Sequence, residues 1–337
     1  MDVLRRSNHR VDWIDTLKLI GIFYIYVGHF GKNAGLLYPF VFSFHVPLFF
    51  FISGIFAKKP DNLKSLPNIF LKSFKLIIVP YFIFCVLSLA FYLVRFNWDA
   101  ATLYRSAIGA IFGVRGGIFA ESLWFLPCMF IVIIYHSIMM CIIKNKWLVM
   151  SLSFLIYLWL MPKAIISHPK LFFNLDSAAC YLSYYSLGYC LASPLKFNSI
   201  YERSFQFRLA SALITAISTS LFIYVYFHGF DSLIKWISIT HVRVASAFVL
   251  TCLMFIPSLA LAYILNSSLL SDMGKSTIVY CGTEQIIKLT FFSLVSLLGL
   301  KINYSSPIQP VIISVICLYV SHKTISRAYN YYINKIN

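Results

Sequence analysis

The chain has 337 residues, 60% of them hydrophobic and only 12% charged, with a net charge of +17 and a mean hydropathy of +0.80. A soluble domain of this size carries about twice that share of charge, so a soluble globular class is excluded. The positive charge does not signal nucleic acid, because it is scattered among loops and no soluble basic domain accompanies it.

The apolar residues fall in runs of roughly 17 to 25, the length that crosses a bilayer core. Ten spans are expected, at about 14–31, 37–57, 69–94, 122–143, 147–166, 178–194, 208–228, 243–265, 275–299 and 308–325. The expected fold is all-α: a polytopic membrane helical bundle forming a single domain over 1–337, with no internal repeat. The first run is too long for a signal-peptide core, contains Lys18 and lacks a small-residue cleavage site, so no cleavable signal is expected. Lys and Arg concentrate in alternate loops. The inner set includes Arg5, Arg6, Arg10, Lys58, Lys59, Lys64, Lys144, Lys196, Arg203, Arg208 and Lys335, which predicts both termini on the cytoplasmic side.

The first span carries "DTLKLIGIFYIYVGHF" (15–30). His29 lies eleven positions after Lys18. At 100° per residue that is three turns plus about 20°, so the two share one helix face about 17 Å apart. Asp15 lies a turn before Lys18, near the same stripe. A membrane helix is not expected to turn such a stripe toward lipid, so it faces a protein interior or an aqueous cavity. Taken singly, Lys18 also reads as a lysine snorkelling to headgroups, and His29 as a hydrogen-bonded interfacial histidine.

The second span opens "FSFHVPLFFFISG" (42–54). Pro47 removes a backbone donor just after His45 and loosens the helix there. The connection after His29 is short, so the first two spans are antiparallel neighbours, and His29 and His45 both fall in the outer half. Ser53 and Gly54 lie deeper and read as a close helix contact. Beyond the third span, segment 98–118 has near-helical apolar spacing and reads as an interfacial helix. Arg115 follows in the glycine-rich "GVRGG", a substrate-side loop or a linker. Glu121 at the outer start of the fourth span reads as a solvated helix-start carboxylate, or as a group that orients a histidine or binds substrate hydroxyls. Trp124 reads as an interfacial anchor or a stacking platform for a substrate ring.

The sixth run, "SAACYLSYYSLGYCLAS", is short and weakly apolar. In the ninth, Glu284 and Lys288 form an i, i+4 pair in the favourable order, acid before base. The eight cysteines all lie in apolar runs without a CxxC pair and read as small buried hydrophobes; no metal is expected.

A basic residue, ten intervening residues and a histidine on the first span resembles the signature of the acyltransferase family 3 membrane proteins. "FHVPLFFFISG", "KSFKLIIVPY" (72–81), "LWFLPCMF" (123–130) and "GKSTIVY" (274–280) resemble that family's later segments, in order and spacing. The lysine variant, preceded by "DTLK", is more similar to the sugar O-acetylase branch that includes fucose 4-O-acetylase-like proteins. Two departures stand out: lysine replaces the commoner arginine at position 18, which removes a bidentate fork, and Glu284 stands near where many relatives place a histidine.

The resemblance implies an inner-membrane O-acetyltransferase of about ten spans that takes acetyl from acetyl-CoA. It implies a saccharide or lipid-linked saccharide as acceptor, and Lys18 and His29 as the functional pair. Acyl transfer from a thioester needs a proton acceptor on the attacking hydroxyl, which suits His29, and an electrophilic partner for the oxyanion. On this reading His29, Lys18, His45, Asp15 and Glu121 are the catalytic candidates. Lys18, Lys72 and Lys75 would meet the donor's phosphates from the cytoplasmic side, and Trp124, Arg115 and Glu284 would meet the acceptor. Two other readings remain: a transporter of a sugar, organic acid or acyl group, since intramembrane Lys18, His29, Glu284 and Lys288 also suit a proton or substrate path, and a non-catalytic partner in polysaccharide assembly.

Overall fold

The computed structural model describes residues 11–163, 165–166, 168–196, 205–300, 302, 304, 306–327 and 329, without the side chains of 194, 196 and 205–208. Arg5, Arg6, Arg10, Arg203 and Lys335, and the side chains of Lys196 and Arg208, therefore lie outside the described residues. Within them the chain is helical with no strand. In order the helices are α1 (Asp12–Gly28), α2 (Leu37–Phe42), α3 (His45–Ile55), α4 (Leu66–Ser73), α5 (Val79–Phe96), α6 (Ala100–Phe112) and α7 (Phe125–Ile143). They continue with α8 (Lys146–Leu160), α9 (Leu175–Lys196), α10 (Phe205–His228), α11 (Thr240–Ile264), α12 (Ser268–Gly274), α13 (Thr277–Leu297) and α14 (Ile308–Ser321).

Helices occupy all ten expected span positions. Seven helical stretches among the described residues are long and apolar enough to cross a membrane. The other three positions hold α1, α8 and α9. At 15 residues α8 is short. The 17 residues of α1 include Asp12, Asp15 and Lys18. α9 carries four Tyr and four Ser among its 22 residues and has no Ile or Val. The last two share a cause. Fourteen of the 17 residues of α1 are buried, and α9 buries Cys180, Tyr181, Ser183, Tyr184, Tyr185 and Ser186. Both are interior helices, and a helix that does not touch lipid has no need of a lipid-like surface. At the other extreme α10 is only 11% buried across its apolar window and presents itself to the bilayer.

Prolines set the local breaks. Pro47 cannot donate to Ser43 O, and the run expected as one helix divides at Ser43–Phe44 into α2 and α3. Thr251 Oγ1 of α11 donates instead to that carbonyl, at 3.5 Å. Just before Pro80 the backbone widens into a π-turn, Phe74–Ile78. α6 is 13 residues, about 20 Å long, too short to cross, and its N-cap Asp99 accepts from Thr102 N at 2.9 Å. All eight cysteines are unpaired; seven are buried and Cys252 is half-buried.

α3 lies directly on α9. A Cβ at Gly54 would run into Tyr185 O, and one at Gly188 would run into Phe51 O. Each glycine admits the other helix's backbone, the small-residue contact that holds membrane helices together where no hydrophobic effect separates helix from lipid.

Candidate active site

His29 follows the last residue of α1 as its C-cap, its N–H bonded to Ile25 O at 3.0 Å. Its Nδ1 lies 2.6 Å from Glu284 Oε2 of α13. The other oxygen, Oε1, accepts from Lys288 Nζ at 2.7 Å. Lys288 also donates to Tyr26 O at 2.6 Å, a carbonyl in the last turn of α1 where intrahelical partners run out, and stands 4.4 Å over the Phe30 ring. The carboxylate is fully buried, and the His29 side chain is 12% exposed. With Lys288 on its other oxygen, the Glu284 carboxylate accepts from His29 Nδ1–H, and Nε2 is the ring nitrogen outside this contact.

Lys18 occupies the opposite end of the same stripe. Its Nζ meets Asp15 Oδ1 at 3.0 Å and the Phe56 ring at 4.3 Å. Between the two ends lies a cavity of about 180 Å³. Lys18, Ile22 and Ile25 of α1 line it, one turn apart, and His29 continues that stripe. Thr277, Ile278 and Cys281 of α13 face them, and Glu284 comes one turn later. α3 runs the other way: Ser53 lines the cavity near Lys18, while Phe42, just before α3, packs against both His29 (6.3 Å) and His45 (4.9 Å). The passage thus begins at the ammonium and stops one turn short of the imidazole on both flanking helices.

The remaining candidates are placed as follows. His45 is buried and donates through Nδ1 to Val41 O at 2.7 Å, which bridges the α2–α3 break. It lies within electrostatic range of His29, Arg115 and Glu284. Arg115 donates from Nη1 to Ile166 O at 3.0 Å, and its guanidinium lies 4.9 Å over the Trp124 ring. Trp124 is buried beneath it, beside Tyr181. Asn174 fixes this corner by accepting from Arg115 N and donating to Gly113 O and Trp124 O.

Glu284 was expected against the acceptor, yet both its oxygens are taken inside the protein, by His29 and Lys288. Lys18 and Asp15, counted with the catalytic set, lie about 17 and 21 Å along α1 from His29. Lys72 and Lys75 are exposed and do not line the cavity, whereas Ile77 from the adjoining π-turn does. Glu121 is exposed at the start of a 3₁₀ turn, Glu121–Trp124, and the carboxylate on His29 is Glu284 instead. The next residue, Ser122, is buried and donates to Cys281 O at 2.7 Å, fastening this turn to α13 beside the site. Among the described residues no group of three His, Cys, Asp or Glu could hold a metal ion.

A basic residue and a histidine on one helix face, with a cavity running from the first to within one turn of the second, form the first-span pattern that points to acyl transfer. The acyltransferase domain model of family 3 matches residues 11–322. The chain belongs to acyltransferase family 3. It is a multi-pass membrane acyltransferase, which sets aside the transporter and the non-catalytic partner. No curated protein and no solved structure matches the chain.

The His29–Glu284 contact was not foreseen, because the two residues are 255 positions apart. A signal existed: an acid inside a membrane span calls for a cation or a histidine opposite it.

Proposed function

We propose that this family 3 acyltransferase moves acetyl from acetyl-CoA to a hydroxyl of an envelope or secreted polysaccharide sugar, or of its lipid-linked precursor. It acts in the bacterial inner membrane with both termini cytoplasmic. The observation that carries the proposal is His29, bonded to Glu284, one turn beyond a cavity that starts at Lys18. The donor enters from the Lys18 side, where the ammonium meets its phosphates. The thioester reaches His29 through the passage, a path of the same order as the pantetheine arm.

His29 Nε2 takes the proton of the acceptor hydroxyl as its oxygen attacks the thioester carbonyl. The C–S bond breaks, the new C–O bond remains, and Nε2 returns the proton to the departing sulfur, so no net proton is needed. Glu284 keeps Nδ1 protonated and the ring in place, as a carboxylate does behind a catalytic histidine. Lys288 keeps Glu284 ionised and fixed. His45, Arg115 and Trp124 occupy the acceptor side. The resemblance of "DTLK" and the lysine at position 18 to the sugar O-acetylase branch supports this choice of acceptor.

The test is transfer from labelled acetyl-CoA to an envelope fraction by the wild type and by His29→Ala. Label on saccharide with the wild type and at least 10³-fold less with the variant is expected, within the range for removal of a general base. Equal labelling by both would sink the scheme.

A further inference from the structure

The loop that carries Arg115 is held on three sides. Its backbone N–H donates to Asn174 Oδ1 at 2.8 Å, Nη1 donates to Ile166 O at 3.0 Å, and the guanidinium lies 4.9 Å over the Trp124 ring. The clamp is strained. Phe173 and Asn174 both sit at positive φ, 52° and 58°. Asn tolerates that region, but a phenylalanine does not adopt it freely. Gly113, at φ +65°, makes room for it: a Cβ there would meet the Phe173 ring at 2.7 Å. Within this rigid frame the charge itself is unanswered. One of the five guanidinium donors is used inside the chain, and among the described residues no carboxylate pairs with it. The next two residues, Gly116 and Gly117, are exposed and offer no side chain to cover it. A half-buried, permanently charged fork left in this way fits a planar anion that takes two N–H bonds at once.

The 3₁₀ turn Glu121–Trp124 joins this fork to the site. Trp124 lies beneath the guanidinium, and two residues earlier Ser122 is bonded to Cys281 O, one turn before Glu284. His45 lies within electrostatic range of both Arg115 and His29. The surroundings carry the same sign. Among the described residues the loops at the His29 end hold eight Lys and Arg against four acids, Asp99, Glu121, Asp176 and Asp231. Asp99 caps Thr102 N, and Asp176 accepts from Lys170 N and Ser177 N, so two of the four already serve backbone donors. Glu121 lies within electrostatic range of Tyr92. A face of net positive charge draws in an anionic polymer and repels a cationic one.

We infer that the acceptor is an acidic saccharide, and that Arg115 binds the carboxylate of a sugar acid while a hydroxyl of the saccharide is presented to His29. The inference rests on the acetyltransferase reading and adds to it the charge of the acceptor. Trp124, buried beneath the guanidinium, holds the plane of the fork, and the strained Phe173–Asn174 pair fixes the loop that carries it.

The test uses the full chain in membrane vesicles, labelled acetyl-CoA and two envelope saccharide fractions. One is native; in the other the sugar carboxylates have been reduced to alcohols with carbodiimide and borohydride, a treatment that leaves phosphate groups charged. The wild type should label saccharide that an anion exchanger retains, and its kcat/KM should fall at least tenfold on the reduced fraction. Arg115→Gln should be at least tenfold slower than the wild type on the native fraction and no slower still on the reduced one. A variant that merely folds poorly loses rate on both fractions in proportion, so the ratio between fractions reads recognition and not folding. Equal wild-type rates on the two fractions, label on neutral saccharide alone, or an undiminished preference in Arg115→Gln would each overturn the inference and leave the acetyltransferase standing. No label on any saccharide with the wild type would refute the proposed function, and the inference with it.

Discussion

Lys288 Nζ closes the second oxygen of Glu284 at 2.7 Å, one helical turn away, while His29 holds the first. On the proposed scheme Glu284 is a positioning residue, and Lys288 is its buried counter-ion. Removing one member of a buried pair strands the other charge, which costs roughly 3–5 kcal/mol. Glu284→Gln and Lys288→Met should each lower the thermal midpoint in detergent sharply. The double variant should regain much of that stability and still transfer acetyl at least 100-fold more slowly, because nothing ionised then orients the ring. Full activity in the stable double variant would show that the contact with His29 has no catalytic role.

At the other end of the stripe, Lys18 is expected to act on donor binding. Lys18→Met keeps an apolar stem against Phe56 but removes the ammonium. The KM for acetyl-CoA should rise about tenfold, ~1.4 kcal/mol of binding, with kcat close to that of the wild type. A fall in kcat at unchanged KM would instead place Lys18 in the chemistry, which its distance from His29 along α1 argues against.

The stripe on α1 was legible because it depends on helix periodicity alone: Lys18, Ile22, Ile25 and His29 share a face in any straight helix. Three other features were not legible, each for its own reason. Glu284 meets His29 only after α13 packs beside α1, and local sequence carries no record of which helices adjoin. The weak hydropathy of α9 reported burial among helices, whereas hydropathy is calibrated on lipid contact. Lys72 and Lys75 were assigned from the loop they border, but charge counting gives a membrane side and not a helix face, and both turn outward. Pro47 did announce the break between α2 and α3; the sequence left open that Thr251 would serve the carbonyl it frees.

The α3–α9 contact yields a packing prediction. Gly54→Ala and Gly188→Ala each drive a methyl group into a backbone carbonyl of the other helix, and neither backbone can rotate away as a side chain could. Overpacking of this kind costs about 1–3 kcal/mol. Both variants should melt lower than the wild type. α3 carries His45 and also Ser53, which lines the cavity, so the fraction that folds should also transfer more slowly. Ala at Gly229, whose added Cβ meets nothing within 4 Å, is a control that tests positive φ without a clash. Equal midpoints for Gly54→Ala and the wild type would mean that the two helices lie further apart than described.

The passage itself can be tested without touching either end. Ile22 lies midway along it, 2% exposed, between Lys18 and Ile25. Ile22→Trp would put an indole into a void of about 180 Å³, so the added ring has room and the fold should survive. Lys18 would keep its partner Asp15, and His29 would keep Glu284. If the donor threads this void, kcat/KM for acetyl-CoA should fall at least 100-fold, ~2.7 kcal/mol, with little change in thermal midpoint. Ile22→Ala widens the same point and should retain transfer at the cost of stability, about 2–5 kcal/mol for a buried isoleucine. This opposite pairing of activity and stability separates a blocked path from a damaged core. Normal transfer by a folded Ile22→Trp protein would mean that the thioester reaches His29 by another route.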